Sequence, residues 1–175
     1  MKKICITLGL IFIIILTIVL GAGSATAENK EYLRIHIRAN SNSEEDQNIK
    51  YEIRDVVVTY LTPFIAKCET KEQAEQMLLS QKPNLEYIIN SFLSDSGFNY
   101  KSDVSLKNEK FPTRVYEDET LEAGYYDAVI IGLGTATGDN WWCVIYPPLC
   151  FTSGENITYR SKILEIIRKF KNGNN

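Results

Sequence analysis

The chain has 175 residues, 45% of them hydrophobic, with 19 Lys and Arg against 22 Asp and Glu and a formal charge of −3. A length and apolar content of this order suit one domain with a core of its own. The acidic balance and the lack of clustered cations exclude nucleic acid as a partner, because phosphate backbones are held by grouped Lys and Arg.

Lys2 and Lys3 precede an apolar run over 4–20, and the small-residue stretch that follows ends in Ala25, Thr26 and Ala27. This is the layout of an export signal cleaved after Ala27. As a helix the run would span roughly 25 Å, a little short of a ~30 Å hydrocarbon core, so an uncleaved anchor is the alternative. The expected division is a signal segment over 1–27 and a single domain over 28–175, with membrane contact only through the signal segment if it is retained. Residues 1–27 hold two Lys and no acid, so 17 basic and 22 acidic side chains remain, a formal charge of −5.

Residues 32–38 (YLRIHIR) alternate apolar Leu33, Ile35 and Ile37 with polar Arg34, His36 and Arg38. A period of two predicts a strand with one buried face. On the polar side of such an edge-like strand, His36 reads as a surface or hydrogen-bonding residue. Ser43 can cap a helix whose first turn carries Glu44, Glu45 and Asp46, and Ile49, Ile53, Val56, Val57, Tyr60, Leu61 and Phe64 recur at helical spacing. The acids suit the helix dipole, and Gln47, Lys50, Arg54 and Asp55 read as a solvated flank. Strand and turn together could form one mixed-charge surface.

Thr70 with Gln73 opens a second helix through Leu78, and a third follows Lys82 and Pro83 and stops at Gly97. The texture then turns to β-type runs at 100–106, 113–117, 124–131 and 141–145, with a last helix over 161–170. The order β-α-α-α-β-β-β-β-α predicts an α+β fold, a mostly antiparallel sheet with helices packed on one face.

Gly132, Gly134 and Gly138 follow a strand, as in a phosphate loop, but no Gly-Lys-Ser/Thr ending or helix comes after them. A loop joining two strands explains them better. One His and three mature Cys match no zinc spacing, and no cofactor motif is present, so neither metal nor cofactor is expected. No catalytic residue is assigned. A thiol enzyme using Cys143 and His36 is one alternative function.

Both tryptophans, two cysteines and two prolines crowd into 138–151. On the exported side of a membrane Cys143 and Cys150 are the natural bridge, leaving Cys68 odd. If the two face each other in a hairpin, Tyr146 and Pro147 occupy the centre of the turn, and proline there demands a cis Tyr146–Pro147 bond. Trp141, Cys143 and Ile145 should point one way and Trp142, Val144 and Tyr146 the other. A second alternative function follows, a cell-wall module in which Trp141 or Trp142 stacks on sugar rings.

The runs LRIHIRANSNSEEDQ (33–47), continued by Lys50, Arg54 and Asp55, and NWWCVIYPPLCF (140–151) together resemble the stage II sporulation protein R family. The resemblance implies a signalling protein, not an enzyme, secreted across the forespore membrane into the intermembrane space of an endospore-forming bacterium. Its partner there would be a membrane-embedded septal aspartic protease, which cleaves the sigma-E precursor in the mother cell. Carried over motif by motif, the expected contacts are Arg34, His36, Asn40, Ser41, Asp46 and Gln47, with Trp141, Trp142, Tyr146, Pro147 and Pro148.

Overall fold

The structure, a computed structural model, describes residues 32–116 and 119–149. The signal segment expected over 1–27, Cys150 and the helix expected over 161–170 lie outside the described residues. The elements are β1 (Leu33–Arg38), α1 (Glu44–Ile65), α2 (Lys71–Asp95), β2 (Ser102–Phe111), β3 (Arg114–Tyr116), β4 (Glu119–Leu121), β5 (Gly124–Leu133) and β6 (Asn140–Tyr146). The fold is α+β, as the element order predicts. Among the described residues no helix is long and apolar enough to cross a membrane.

α1 begins where its side chains allow: the Ser43 Oγ accepts from the Asp46 N–H, and three acids fill the first turn. Thr70 does the same for α2 through the Gln73 N–H. α2 ends before Gly97, whose φ of 87° is a left-handed stop, and Phe98 N–H returns to the Leu93 carbonyl. The two helices expected on either side of Pro83 are one. Ala74, Leu78, Leu85, Ile88, Ile89 and Phe92 are all buried and stay in helical phase across the proline, so burial of one unbroken stripe outweighs the missing N–H.

Four strands form a sheet in the order β2-β5-β1-β6, and β3 pairs with β4 as a separate hairpin. β1 runs parallel to β5 and antiparallel to β6, while β2 and β5 are antiparallel. β1 is therefore an inner strand, not an edge. Leu33, Ile35, Ile37, Val129, Ile131, Cys143 and Ile145 join the buried faces of both helices in the main core. On the outer face Phe111, Tyr126, Ala128 and Ile130 form a second cluster with Trp142. The alternating pattern of 32–38 hides this second layer, which is why His36 reads as superficial in the sequence yet is 4% exposed.

Candidate functional site

The turn after β1 is fixed by side chains from three elements. The Asp46 carboxylate accepts from Asn40 Nδ2 (2.9 Å), Ser41 Oγ (2.5 Å) and Tyr100 Oη (2.5 Å). Burial opposes its ionisation, but the donors on Ser41, Tyr100, Asn40 and Ser43 outweigh that and hold the carboxyl below its usual value. Gln47 Nε2 donates to the Ser41 carbonyl (2.8 Å), and Lys50 Nζ donates to Gln47 Oε1 (2.6 Å) and the Asp139 carbonyl (3.1 Å). Lys50, read from sequence as solvated, is instead 1% exposed, and that burial pulls its pKa down. Its position one turn after Asp46 was the available signal that it shares the buried face.

The glycine-rich loop between β5 and β6 closes over this turn. The Thr135 N–H donates to Asn40 Oδ1 (2.9 Å), Thr135 and Thr137 hydroxyls both reach the Asn40 carbonyl, and Asp139 N–H donates to Asn42 Oδ1 (2.6 Å). A Cβ on Gly138 would stand 2.2 Å from the Ser41 carbonyl oxygen, and one on Gly134, at φ 57°, 2.3 Å from Asn40 Oδ1. The glycines admit the neighbouring turn rather than a phosphate.

The strand residues make a different cluster, so no single mixed-charge surface forms. Arg34 is fully buried, its guanidinium 4.2 Å from the Phe111 ring centroid and 4.8 Å from that of Tyr126. Its Nη2 donates to Tyr116 Oη (2.7 Å), which donates to the Trp142 carbonyl (3.3 Å). The β3–β4 hairpin is tied to the sheet in this way. His36 Nδ1 lies 3.1 Å from Glu109 Oε1, a carboxylate that Arg38 also holds. Burial keeps the His36 imidazole below its ordinary pKa, and the Arg38 charge adds to this against Asn140 and Glu109.

β6 carries the aromatic residues. Trp142 stacks on His36 at 5.3 Å and lies under Arg114 at 4.3 Å, while Trp141 faces Arg54 at 6.0 Å on the helix side. A bulge in the pairing sets Leu33 opposite Tyr146 and Arg34 opposite Val144, skipping Ile145. Tyr146 therefore does not point with Trp142 and Val144. It packs against the main core and its hydroxyl donates to the Glu69 carbonyl at 2.6 Å. The Tyr146–Pro147 bond is cis, Pro147 is exposed and Pro148 half-buried.

Cys143 is buried in the main core and pairs with Ile35, whereas His36 pairs with Trp142 on the outer face. The thiol and imidazole project to opposite sides of the sheet, which removes the thiol–imidazole pair. The expected partner of Cys143 in a bridge, Cys150, lies outside the described residues. Cys68 is half-buried, its Sγ against the Phe64 carbonyl, and burial pushes the thiol pKa up. No group of acids, His and Cys able to hold a metal occurs among the described residues.

Sequence reasoning missed Tyr100, Glu109, Tyr116 and Arg114, each supplied by the chain between the two quoted runs to a partner in one of them. No spacing in the sequence links residues so far apart. No solved structure matches the chain. It is 36% identical over 124 residues to stage II sporulation protein R of Bacillus subtilis (strain 168), a match covering 71% of this chain and 55% of that protein. The chain thus spans about half the length of that curated relative. The family model described as stage II sporulation protein R matches residues 29–156, which take in both polar clusters and all of β6, and the chain belongs to that family.

Proposed function

We propose that this chain is a secreted signal of sporulation that binds a membrane-embedded aspartic protease from the intermembrane side and shifts it to its active state. That protease then cleaves the sigma-E precursor in the mother cell. Such a signal needs a fixed shape and a complementary surface, and no reacting group of its own. A ligand can move a two-state equilibrium only by its differential affinity, about 1.4 kcal/mol for each tenfold.

The observation that carries this reading is how the polar residues of the family motif are spent. Asn40, Ser41, Asp46 and Gln47 bond to one another, to Tyr100 and to the loop before β6. They fix a shape rather than wait for a substrate. Arg34 and His36 are buried, so their part is to support the outer layer that holds Trp142. Exposed Pro147 and half-buried Trp141, Trp142 and Pro148 are the contact candidates. A bridge from Cys143 to Cys150 would stiffen their far end by about 2.5 kcal/mol of chain entropy. Sugar stacking is less well supported, because His36 and Arg114 already engage the Trp142 ring.

Co-production of the chain, the protease and the sigma-E precursor in a non-sporulating host tests the proposal. Precursor cleavage that requires the chain is the expected result. Cleavage at the same rate without it, or turnover of a substrate by the purified chain alone, would overturn the reading.

A further inference from the structure

His36, the one histidine of the chain, lies on β1 between side chains of β2 and β6. Its Nδ1 meets Glu109 Oε1 at 3.1 Å, Phe111 packs edge-on against the ring at 5.8 Å, and Trp142 stacks on it at 5.3 Å. Beside a carboxylate the neutral ring carries its proton on Nδ1, which leaves Nε2 bare. Nε2 is buried and has no hydrogen-bond partner among the described residues. Protonation would place an N–H there with nothing to accept it, after the loss of its hydration.

The surrounding charges act in the same direction. Arg38 opposes a proton on the ring and also bonds to Glu109, whereas Asn140 and Glu109 favour one. Further cations stand around that carboxylate and the stack: Lys107 3.9 Å from Glu109, Arg114 4.3 Å from the Trp142 ring centroid, and Arg34 two residues before His36 on the same face of β1. β5 adds Tyr126, Ala128 and Ile130 to this layer, none of them charged at neutral pH, and Glu119 of β4 is engaged by Tyr32. An imidazolium is drawn to an indole face, but that attraction is smaller than the hydration a buried ion forgoes. The ring gains its second proton by turning to water, and Trp142 then loses the surface it rests on.

We propose that His36 is a positioning residue for Trp142 and a proton switch on the partner-facing side: the neutral ring holds the indole in place, the protonated ring leaves the stack, and the signal is presented at neutral pH and withdrawn in acid. Acid acts here by shrinking the fraction of chains whose contact face is formed. This rests on the protease being the partner, but the movement of Trp142 can be read without it.

The experiment titrates the full chain from pH 8 to pH 5. The ring resonances of its one histidine give the His36 midpoint by NMR, and W141F leaves Trp142 as the one indole that emits. Trp142 emission moves to longer wavelength and opens to acrylamide with the His36 midpoint, while far-UV circular dichroism stays constant. H36Q, folded by thermal melt, shows neither change. One pH unit below the midpoint about one ring in eleven is neutral, so the wild-type chain needs about ten times more protein for half-maximal precursor cleavage by the detergent-solubilised protease than at pH 8. The H36Q requirement at the same two pH values stays within about twofold once the protease's own pH response is divided out. Trp142 emission that stays fixed through the His36 titration overturns the inference, as does emission that dims with no shift and no gain in acrylamide access, since the imidazolium then remains in the stack. Loss of circular dichroism at the same midpoint overturns it as unfolding, and so does a wild-type requirement that rises no more than that of H36Q. If the wild-type chain does not switch the protease at any pH while Trp142 follows His36, the protease reading falls and the proton switch stands.

Discussion

Asp46 is central to the turn, since a single buried carboxylate holds Asn40, Ser41 and Tyr100. Asp46→Ala leaves three donors without their acceptor, and a loss of about 2–4 kcal/mol in urea unfolding is expected. Its folded pKa is lowered, so its contribution is present above the ordinary carboxylate pKa of 3.8 and is lost as pH falls through the folded value. His36 adds a second window. Because burial lowers its pKa from 6.5, the unfolded chain binds the proton more readily, and stability declines as pH drops below 6.5. Urea midpoints measured from pH 8 to pH 4 should fall first in that upper window. In His36→Gln the upper decline should be absent while the acid loss persists; an unchanged profile would show that the imidazole titrates as in the unfolded chain.

At the scale of elements, the loop between β5 and β6 depends on close approach. Gly138→Ala sets a methyl group 2.2 Å from the Ser41 carbonyl, where backbone faces backbone and neither can move alone. A drop of about 2–3 kcal/mol is expected in thermal unfolding, with protease switching weakened because the same loop positions β6. α2 has the opposite defect. Pro83 is exposed and interior to the helix, so Pro83→Ala restores an N–H for the Leu79 carbonyl and should raise stability by about 1–2 kcal/mol in the same assay. The helices were legible because caps and apolar stripes act within a few residues. The break expected at Pro83 was not real, since local propensity is outweighed by a face that tertiary contacts bury on both sides of it. Strand texture was legible too, but β4 and the polar half of β2 gain their structure only from pairing partners. Tyr146 faces the core because of a bulge, and β1 is inner because β5 and β6 flank it; neither follows from a period of two. Of the candidate site, the two runs were visible, whereas Lys50, Arg34 and His36 turned out buried because distant aromatic and acidic residues cover them.

At the scale of the whole molecule, the proposed function separates folding from signalling. The described residues hold a core of their own, two helices on one face of a four-stranded sheet and an aromatic layer on the other, and residues 1–27 are not among the described residues. Under the proposed function those residues set only the compartment in which this shape is presented. A form lacking 2–27 should therefore melt as the mature domain does, yet fail to trigger precursor cleavage when produced in the cytoplasm of the reconstituted host. Joining it to an unrelated export signal should restore cleavage, because the partner surface lies across the membrane and binding energy acts only where both proteins meet. Immunoblotting of the precursor reads both arms. Cleavage by the cytoplasmic form would mean that the protease is met from inside, and no arrangement of β6, however well built, could then be carrying a message between compartments.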